Sequence, residues 1–251
     1  MKVNILGIQI SNLRKGEVLS KIREYISNNE KRYIVTPNPE FVMDAQKDEL
    51  FKSVLNKADI AIPDGAGLIF ASWYILHPLK QRIHGVDLVW DLIESASQYN
   101  WSIYLLGGEE GITKELVAEE AVAVVKEKYP KLTVNFYNQN FIYSEASVND
   151  HKAVEEINKV KPDILLVAFG HKKQEKWIAR NLNKLDTKVS IGVGGTFDYI
   201  SGKIKRAPKF IRSLRMEWLY RLFKQPSRGP RIYKAFVKFV SLVIIKAWKY
   251  R

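Results

Sequence analysis

The chain has 251 residues, 46% of them hydrophobic, and no cysteine, which suits one sizeable core and excludes a disulfide framework, a thiol nucleophile and a cysteine-based zinc site. Its formal charge of +13 is unevenly placed: residues 201–251 hold 15 of the 40 Lys+Arg but, of the 27 Asp+Glu, only Glu217. A near-neutral body with a strongly basic tail points to a polyanionic partner: nucleic acid, an anionic membrane or a phosphorylated substrate.

The N-terminal MKVNILGIQI lacks the apolar core of a signal peptide. No window reaches the roughly 18 apolar residues of a membrane span, so a cytoplasmic protein is expected. The first thirty residues read as two short strands and a helix near 14–28. Beyond them, short β-rich apolar runs at 33–36, 59–62, 102–106, 133–136, 164–169 and 189–193 alternate with helical periodicity near 40–57, 66–76, 86–99, 112–128, 146–160 and 173–184. This alternation predicts an α/β fold over residues 1–200, a Rossmann-like, mostly parallel sheet with helices on both faces. Ligands bind such sheets at the carboxyl ends of the strands.

The tail reads differently. Ala207-Pro208 marks a break, a helix is expected over 209–223, and residues 226–230 mark a second break. Residues 231–251 have the pattern of an amphipathic helix. Arg231, Lys234, Lys238, Ser241 and Lys249 share one face, with Lys246 beside it, while Phe236, Phe239, Val240, Val243, Ile244 and Trp248 cover the other. Residues 201–251 thus form a basic helical appendage suited to an anionic membrane surface. The same apolar residues suit a subunit interface and hence a homo-oligomer. They argue against a nucleic-acid arm, which has little use for them.

The chemistry-bearing residues follow predicted strands. Thr36-Pro-Asn38-Pro-Glu40, Pro63-Asp64-Gly65-Ala66-Gly67, Gly107-Gly108, Gly170-His171-Lys172-Lys173-Gln174 and Gly194-Gly195-Thr196-Phe197-Asp198 each come at a strand end. Alone, each is an ordinary turn or helix cap. Five of them on one rim make a nucleotide-type site, in which glycines let backbone N–H groups approach phosphate. No Walker loop and no Gly-x-Gly-x-x-Gly is present. The chain also has no Asp-x-Asp to hold a divalent cation, and its four histidines show no metal-ligand spacing, so no metal is expected. A leaving diphosphate would then fall to arginine, whose planar fork pairs with phosphate oxygens. The candidates are Arg82 in the body and Arg206, Arg212, Arg215, Arg221, Arg228 and Arg231 in the tail. Any one tail arginine, read alone, is a lipid contact or a solvated charge.

Four ordered motifs, TPNPEFVMDAQKDELFKSVLNKADIAIPDGAGL, LLGG, FGHKKQEKW and GVGGTFDYISGKIKRAPKFIRSLRMEWLYRLFKQPSR, resemble the WecG/TagA/CpsF family of bacterial glycosyltransferases, over essentially the whole chain. The resemblance implies transfer of a sugar from a UDP-sugar to GlcNAc on undecaprenyl diphosphate, by an enzyme peripheral on the inner face of the cell membrane and needing no cofactor. Within the family the chain looks most like the TagA branch, which implies N-acetylmannosamine and wall teichoic acid; a related uronic acid or hexose, for capsule or exopolysaccharide, is the alternative. It implies further that Asp64 is the catalytic base, with Thr36 and Asn38 in the same pocket, and that Gln174 and Asp198 help hold the UDP-sugar, next to the glycine turns Gly107, Gly108, Gly170 and Gly194. Arg82 and the tail arginines Arg212, Arg215, Arg221, Arg228 and Arg231 would meet the diphosphates. The chain departs from the family's usual Gly-x-Pro-x-Gln-Glu turn by placing Lys172 where proline is common, which keeps Gln174 in register. A non-enzymatic nucleotide sensor on the same fold is the competing reading; it would bind UDP and tolerate loss of Asp64.

Overall fold

The computed structural model describes residues 1–108, 117–137, 148–208 and 233–248, with residues 210, 220 and 229 as isolated positions. A hairpin comes first: β1 (Lys2–Ile5) and β2 (Ile8–Ser11) pair antiparallel. Leu6 and Gly7 between them both have positive φ, as a two-residue type I′ turn requires. After α1 (Lys15–Ser27), strands and helices alternate as β3 (Arg32–Val35), α2 (Pro39–Ala45), α3 (Glu49–Lys57), β4 (Ile60–Ala61), α4 (Ala66–Tyr74), α5 (Gly85–Tyr99) and β5 (Ile103–Gly107). Next come α6 (Val117–Lys128), β6 (Val134–Phe136), α7 (Val148–Val160), β7 (Ile164–Ala168), α8 (Lys173–Asn181), β8 (Val189–Gly192) and α9 (Thr196–Ile200). A π-helical turn (Lys234–Lys238) leads into the last helix, α10 (Phe239–Trp248).

The expected α/β architecture is present. β3 to β8 form one sheet in the order β4-β3-β8-β7-β5-β6, every neighbouring pair parallel. Successive strand residues point to opposite faces, and here both faces are covered. Tyr33, Val35, Leu165 and Val167 join a core with Phe41 of α2, Phe51 of α3 and Trp177 of α8. Ile34, Ile164, Leu166 and Ile191 join a second core with Ile22 of α1, Leu92 of α5 and Val122 of α6. That explains why the strands read as near-continuous apolar runs.

Three elements differ from the sequence reading. The helix expected over 40–57 is two helices, separated at residues 46–48. Phe41, Val42 and Ala45 mark one buried stripe and Phe51, Val54 and Leu55 another; the gap of six from Ala45 to Phe51 breaks the 3.6-residue register. Asp48 fills the break as N-cap of α3, accepting the Phe51 N–H at 2.9 Å. It also takes Lys176 at 2.8 Å and Lys172 at 3.3 Å, so α3 is tied to α8. The turn after β8 runs into the short helix α9. Finally, the apolar face expected for residues 231–251 is divided. Phe239 and Val243 are buried in the core of the body, whereas Phe236 and Ile244 are exposed. The π-helical turn adds a residue to the helical register, and α10 packs its Phe239–Val243 stripe onto α2 and α4. The helix expected over 209–223 lies outside the described residues. No helix among the described residues is long and apolar enough to cross a membrane.

Candidate active site

β4, β3, β8 and β7 are adjacent in the sheet. The loops at their carboxyl ends enclose one cleft of about 330 Å³, lined by Thr36, Asn38, Asp64, Arg82, Gly170, Gln174, Gly194 and Asp198. Each of these was singled out in the sequence. The Asp64 backbone N–H donates to Pro37 O at 2.9 Å, which locks the loop after β4 to the loop after β3. Gly65 follows with φ of +119°, and a Cβ there would lie 2.9 Å from Pro39 Cδ; one on Gly67 would lie 2.6 Å from Pro39 Cγ. Only glycine lets α4 start this close to α2. Gly85, the first residue of α5, lies against the same loops without crowding them: a Cβ there would make ordinary contacts, 3.7 Å from Asp64 Oδ2 and 4.0 Å from Thr36 Cγ2. The amino end of α5 therefore faces the floor of the cleft and favours negative charge there. Asn38 caps α2 by accepting the Phe41 N–H through Oδ1 at 3.1 Å, which leaves the amide NH2 out of the cap.

The second wall rests on a buried pair. Gln174 Oε1 accepts the Gly194 N–H at 2.9 Å, and its Nε2 donates to Glu175 Oε1 at 2.6 Å. Glu175 Oε2 accepts the Lys172 N–H at 2.7 Å. Both side chains are buried beneath the loop after β8. Burial pushes the Glu175 carboxyl up to about 7, against the opposing pull of its donors. Gly192 makes room for the pair, since a Cβ there would meet Gln174 Nε2 and Glu175 Oε1, each at 2.7 Å. Lys172 has φ of +70°, which proline's ring forbids. The turn gets its rigidity from Glu175 instead.

Arginine reaches the cleft from two places, Arg82 and Arg206. The Arg206 guanidinium is forked onto Asp87 of α5, with Nη1 at 2.5 Å and Nη2 at 3.3 Å from its two oxygens, an arrangement that fixes the arginine's orientation. The C-terminal segment closes one side through Ala235 and Phe236. It is held there by an ion cluster: His171 Nε2 lies 2.9 Å from Asp44 Oδ2 and 3.9 Å from Glu40 Oε1, and Lys234 Nζ binds the other oxygen of Asp44. Burial pushes the Asp44 carboxyl up, but Lys234 and His171 outweigh it and hold the group below its ordinary value. Glu40, Asp44 and His171 are also the one metal-ligand grouping among the described residues, and Asp44 within it is engaged by Lys234.

Two predicted site residues stand apart. Gly107 and Gly108, at the end of β5, do not line the cleft. A Cβ on Gly107 would meet Ala168 O and Phe169 Cδ1, each at 2.7 Å, so packing alone demands glycine there. Residues 109–116, which follow them, lie outside the described residues, as do Arg212, Arg215, Arg221, Arg228 and Arg231. Sequence reasoning missed Glu175 and the Glu40–Asp44–His171 cluster. Glu175 had a visible sign, an acid three residues before Ile178 on the buried face of α8; Glu40 and Asp44, spaced i, i+4, had another.

A parallel sheet whose strand ends open on a cleft lined by three carboxylates, two amides and two arginines is an α/β enzyme scaffold of the nucleotide-binding type. The chain belongs to the WecG/TagA/CpsF family of glycosyl transferases, which it matches over residues 3–251, and it is a glycosyltransferase. It is 33% identical over 220 residues to an N-acetylglucosaminyldiphosphoundecaprenol N-acetyl-beta-D-mannosaminyltransferase of Bacillus spizizenii, an alignment covering 88% of this chain and 81% of that protein. It is 32% identical over 233 residues to a protein of the same name from Staphylococcus aureus strain MW2, covering 92% and 88%.

Proposed function

We propose that the enzyme transfers N-acetylmannosamine from UDP-N-acetylmannosamine to GlcNAc-diphosphate-undecaprenol, inverting the anomeric centre to give a β-linked disaccharide lipid for wall teichoic acid or a related surface polymer. The observation that carries this reading is the Asp64 carboxylate at the floor of a cleft that Thr36, Asn38, Gln174, Arg82 and Arg206 also line. The sugar classes follow the names of the relatives.

Asp64 takes the proton of the acceptor hydroxyl as its oxygen bonds to the anomeric carbon and the bond to UDP breaks. A placed general base contributes about 10²–10⁴-fold. Negative charge grows on the departing diphosphate, where Arg82, Arg206 and the amino end of α5 stabilise it without a metal ion. Gly170, Gly194 and Asp198 hold the nucleotide-sugar, Gln174 acts by bracing the Gly194 loop from beneath, and Gly107 and Gly108 lie at the neighbouring strand end. Residues 201–251, including Arg212, Arg215, Arg221, Arg228 and Arg231, place the enzyme on the inner face of the membrane, each basic residue near anionic lipid adding about 1 kcal/mol.

The test is a panel of UDP-sugars assayed against GlcNAc-diphosphate-lipid, with and without chelator, comparing the unaltered enzyme with Asp64→Ala. Transfer from UDP-N-acetylmannosamine that survives chelation and is lost in the variant is the expected result. Near-normal turnover by Asp64→Ala would remove that residue from its role, and strict dependence on magnesium or manganese would overturn the metal-free mechanism.

A further inference from the structure

Beside the polar cleft runs an apolar groove of about 460 Å³. Ile69, Phe70 and Trp73 of α4 form one wall, and Phe236 and Val240 of the C-terminal segment form the other. Its inner end is common property: Ala66, Gly67 and Phe236 line groove and cleft alike. α4 starts two residues after Asp64, and the groove runs along that helix from Ala66 and Gly67 to Trp73. Apart from the Trp73 indole N–H, no side chain lining it carries a polar group. Trp73 of its wall is 68% exposed, and Leu76 just after α4 (73%) and Ile245 of α10 are exposed as well. Large exposed apolar side chains gathered along a groove mark an interaction site.

We propose that this groove seats the first isoprene units of the acceptor's polyprenyl chain, between the bilayer and the cleft. The inference rests on the lipid-linked acceptor proposed above. Such an acceptor presents, in order, a sugar hydroxyl, a diphosphate and a branched apolar chain. The protein presents Asp64 and two arginines together in one cleft, with the apolar groove opening beside them. A bulk-lipid acyl chain does not suit the inner end, which opens on charged groups. A second copy of the protein does not suit a narrow channel continuous with an active site. The aromatic faces of Phe70, Trp73 and Phe236 suit the methyl-branched, unsaturated units of a polyprenol.

Two measurements test this. In detergent micelles without a bilayer, the full-length enzyme is assayed with acceptors of identical GlcNAc-diphosphate head and increasing lipid length, from a short alkyl chain to several isoprene units. The acceptor KM of the unaltered protein is expected to fall at least about tenfold along the series. In the Phe70→Gln, Trp73→Gln double variant most of that gain is expected to vanish, with the KM for the nucleotide-sugar as the check on folding. Separately, a sugar-free farnesyl diphosphate carrying a photoreactive group is expected to label peptides containing residues 66–74 and 236–240 in the unaltered protein. An unchanged dependence on lipid length in the variant would overturn the proposal, and so would labelling confined to other peptides. A variant defective only in liposome binding would make the surface a membrane patch instead, and labelling lost on self-association would make it a subunit interface. Photolabelling needs no catalysis, so absence of sugar transfer would count against the proposed reaction without touching the groove.

Discussion

Glu175 offers a pH-dependent test of how the cleft is built. Its carboxyl rises from the ordinary 4.5 to about 7 because it is buried. The folded protein therefore holds this proton more tightly than the unfolded chain does. A raised acid contributes stability that is complete below the unfolded value and is lost as pH climbs through the folded one. At about 1.4 kcal/mol per pH unit, the span from 4.5 to about 7 is worth about 3 kcal/mol, most of it lost between about pH 5 and about pH 8. The other shifted carboxylates, Glu17, Glu30, Asp44, Asp48 and Asp163, are all lowered and titrate below that window.

Glu175→Gln removes the titration and adds a conflict. One oxygen can still accept the Lys172 N–H, but the new amide NH2 faces the Gln174 NH2. If Gln174 flips to accept, it turns a donor toward the Gly194 N–H. One buried donor is left over either way, at about 1–3 kcal/mol. Urea unfolding at several pH values measures both effects. The variant is expected to be the less stable at pH 5, and the difference between the two proteins is expected to shrink by about 2–3 kcal/mol on going to pH 8. Parallel stability curves would show that Glu175 does not titrate in this range and would refute the reasoning.

Three further outcomes are expected. Asp48 is held at about 2, burial opposing but Lys176, the Phe51 N–H and Lys172 prevailing; Asp48→Asn is expected to cost about 2 kcal/mol in urea unfolding at neutral pH, with the loss fading below about pH 3. Gly65→Ala forces a Cβ into Pro39 at a φ of +119°, and is expected to cost about 1–3 kcal/mol by thermal unfolding and to lower transfer by moving Asp64. Phe239→Ala empties a fully buried site shared by α10 and the body; limited proteolysis is expected to release the C-terminal segment faster while the melting of the α/β body changes little.

The sheet was legible because burial on both faces leaves little room for polar residues in the strands, so 164–169 reads as an unbroken apolar run and 189–193 is interrupted only by Ser190 and Gly192. The cleft was legible because carboxyl ends of parallel strands must share a rim, and Thr36, Asn38, Asp64, Gln174 and Asp198 each follow a strand. Contacts between segments distant in sequence were not. Nothing local tells that Glu175 lies under the Gly194 loop, that Arg206 turns back to Asp87 at the start of α5, or that Lys234 finds Asp44. The division of the C-terminal apolar face also escaped, because periodicity shows that a helix has an apolar side and not which part of it another helix will cover.

That division changes how the basic tail works. Phe239 and Val243 are spent on the body and cannot also enter a bilayer. The apolar surface left over is composite: Val237, Ile244 and Ile245 from the C-terminal segment, Trp73 and Leu76 from α4 and the loop after it. The same docked segment supplies Phe236 to both the cleft and the groove, and Lys234 to the Asp44–His171 cluster. On the proposed function, membrane contact and completion of the site would therefore draw on one packing event. If the segment undocks, the groove loses a wall and the cleft loses Ala235 and Phe236 together. With the donor in the cleft and the acceptor's lipid in the groove, as proposed, the two substrates would meet through a shared wall, which a freely tethered anchor would not provide.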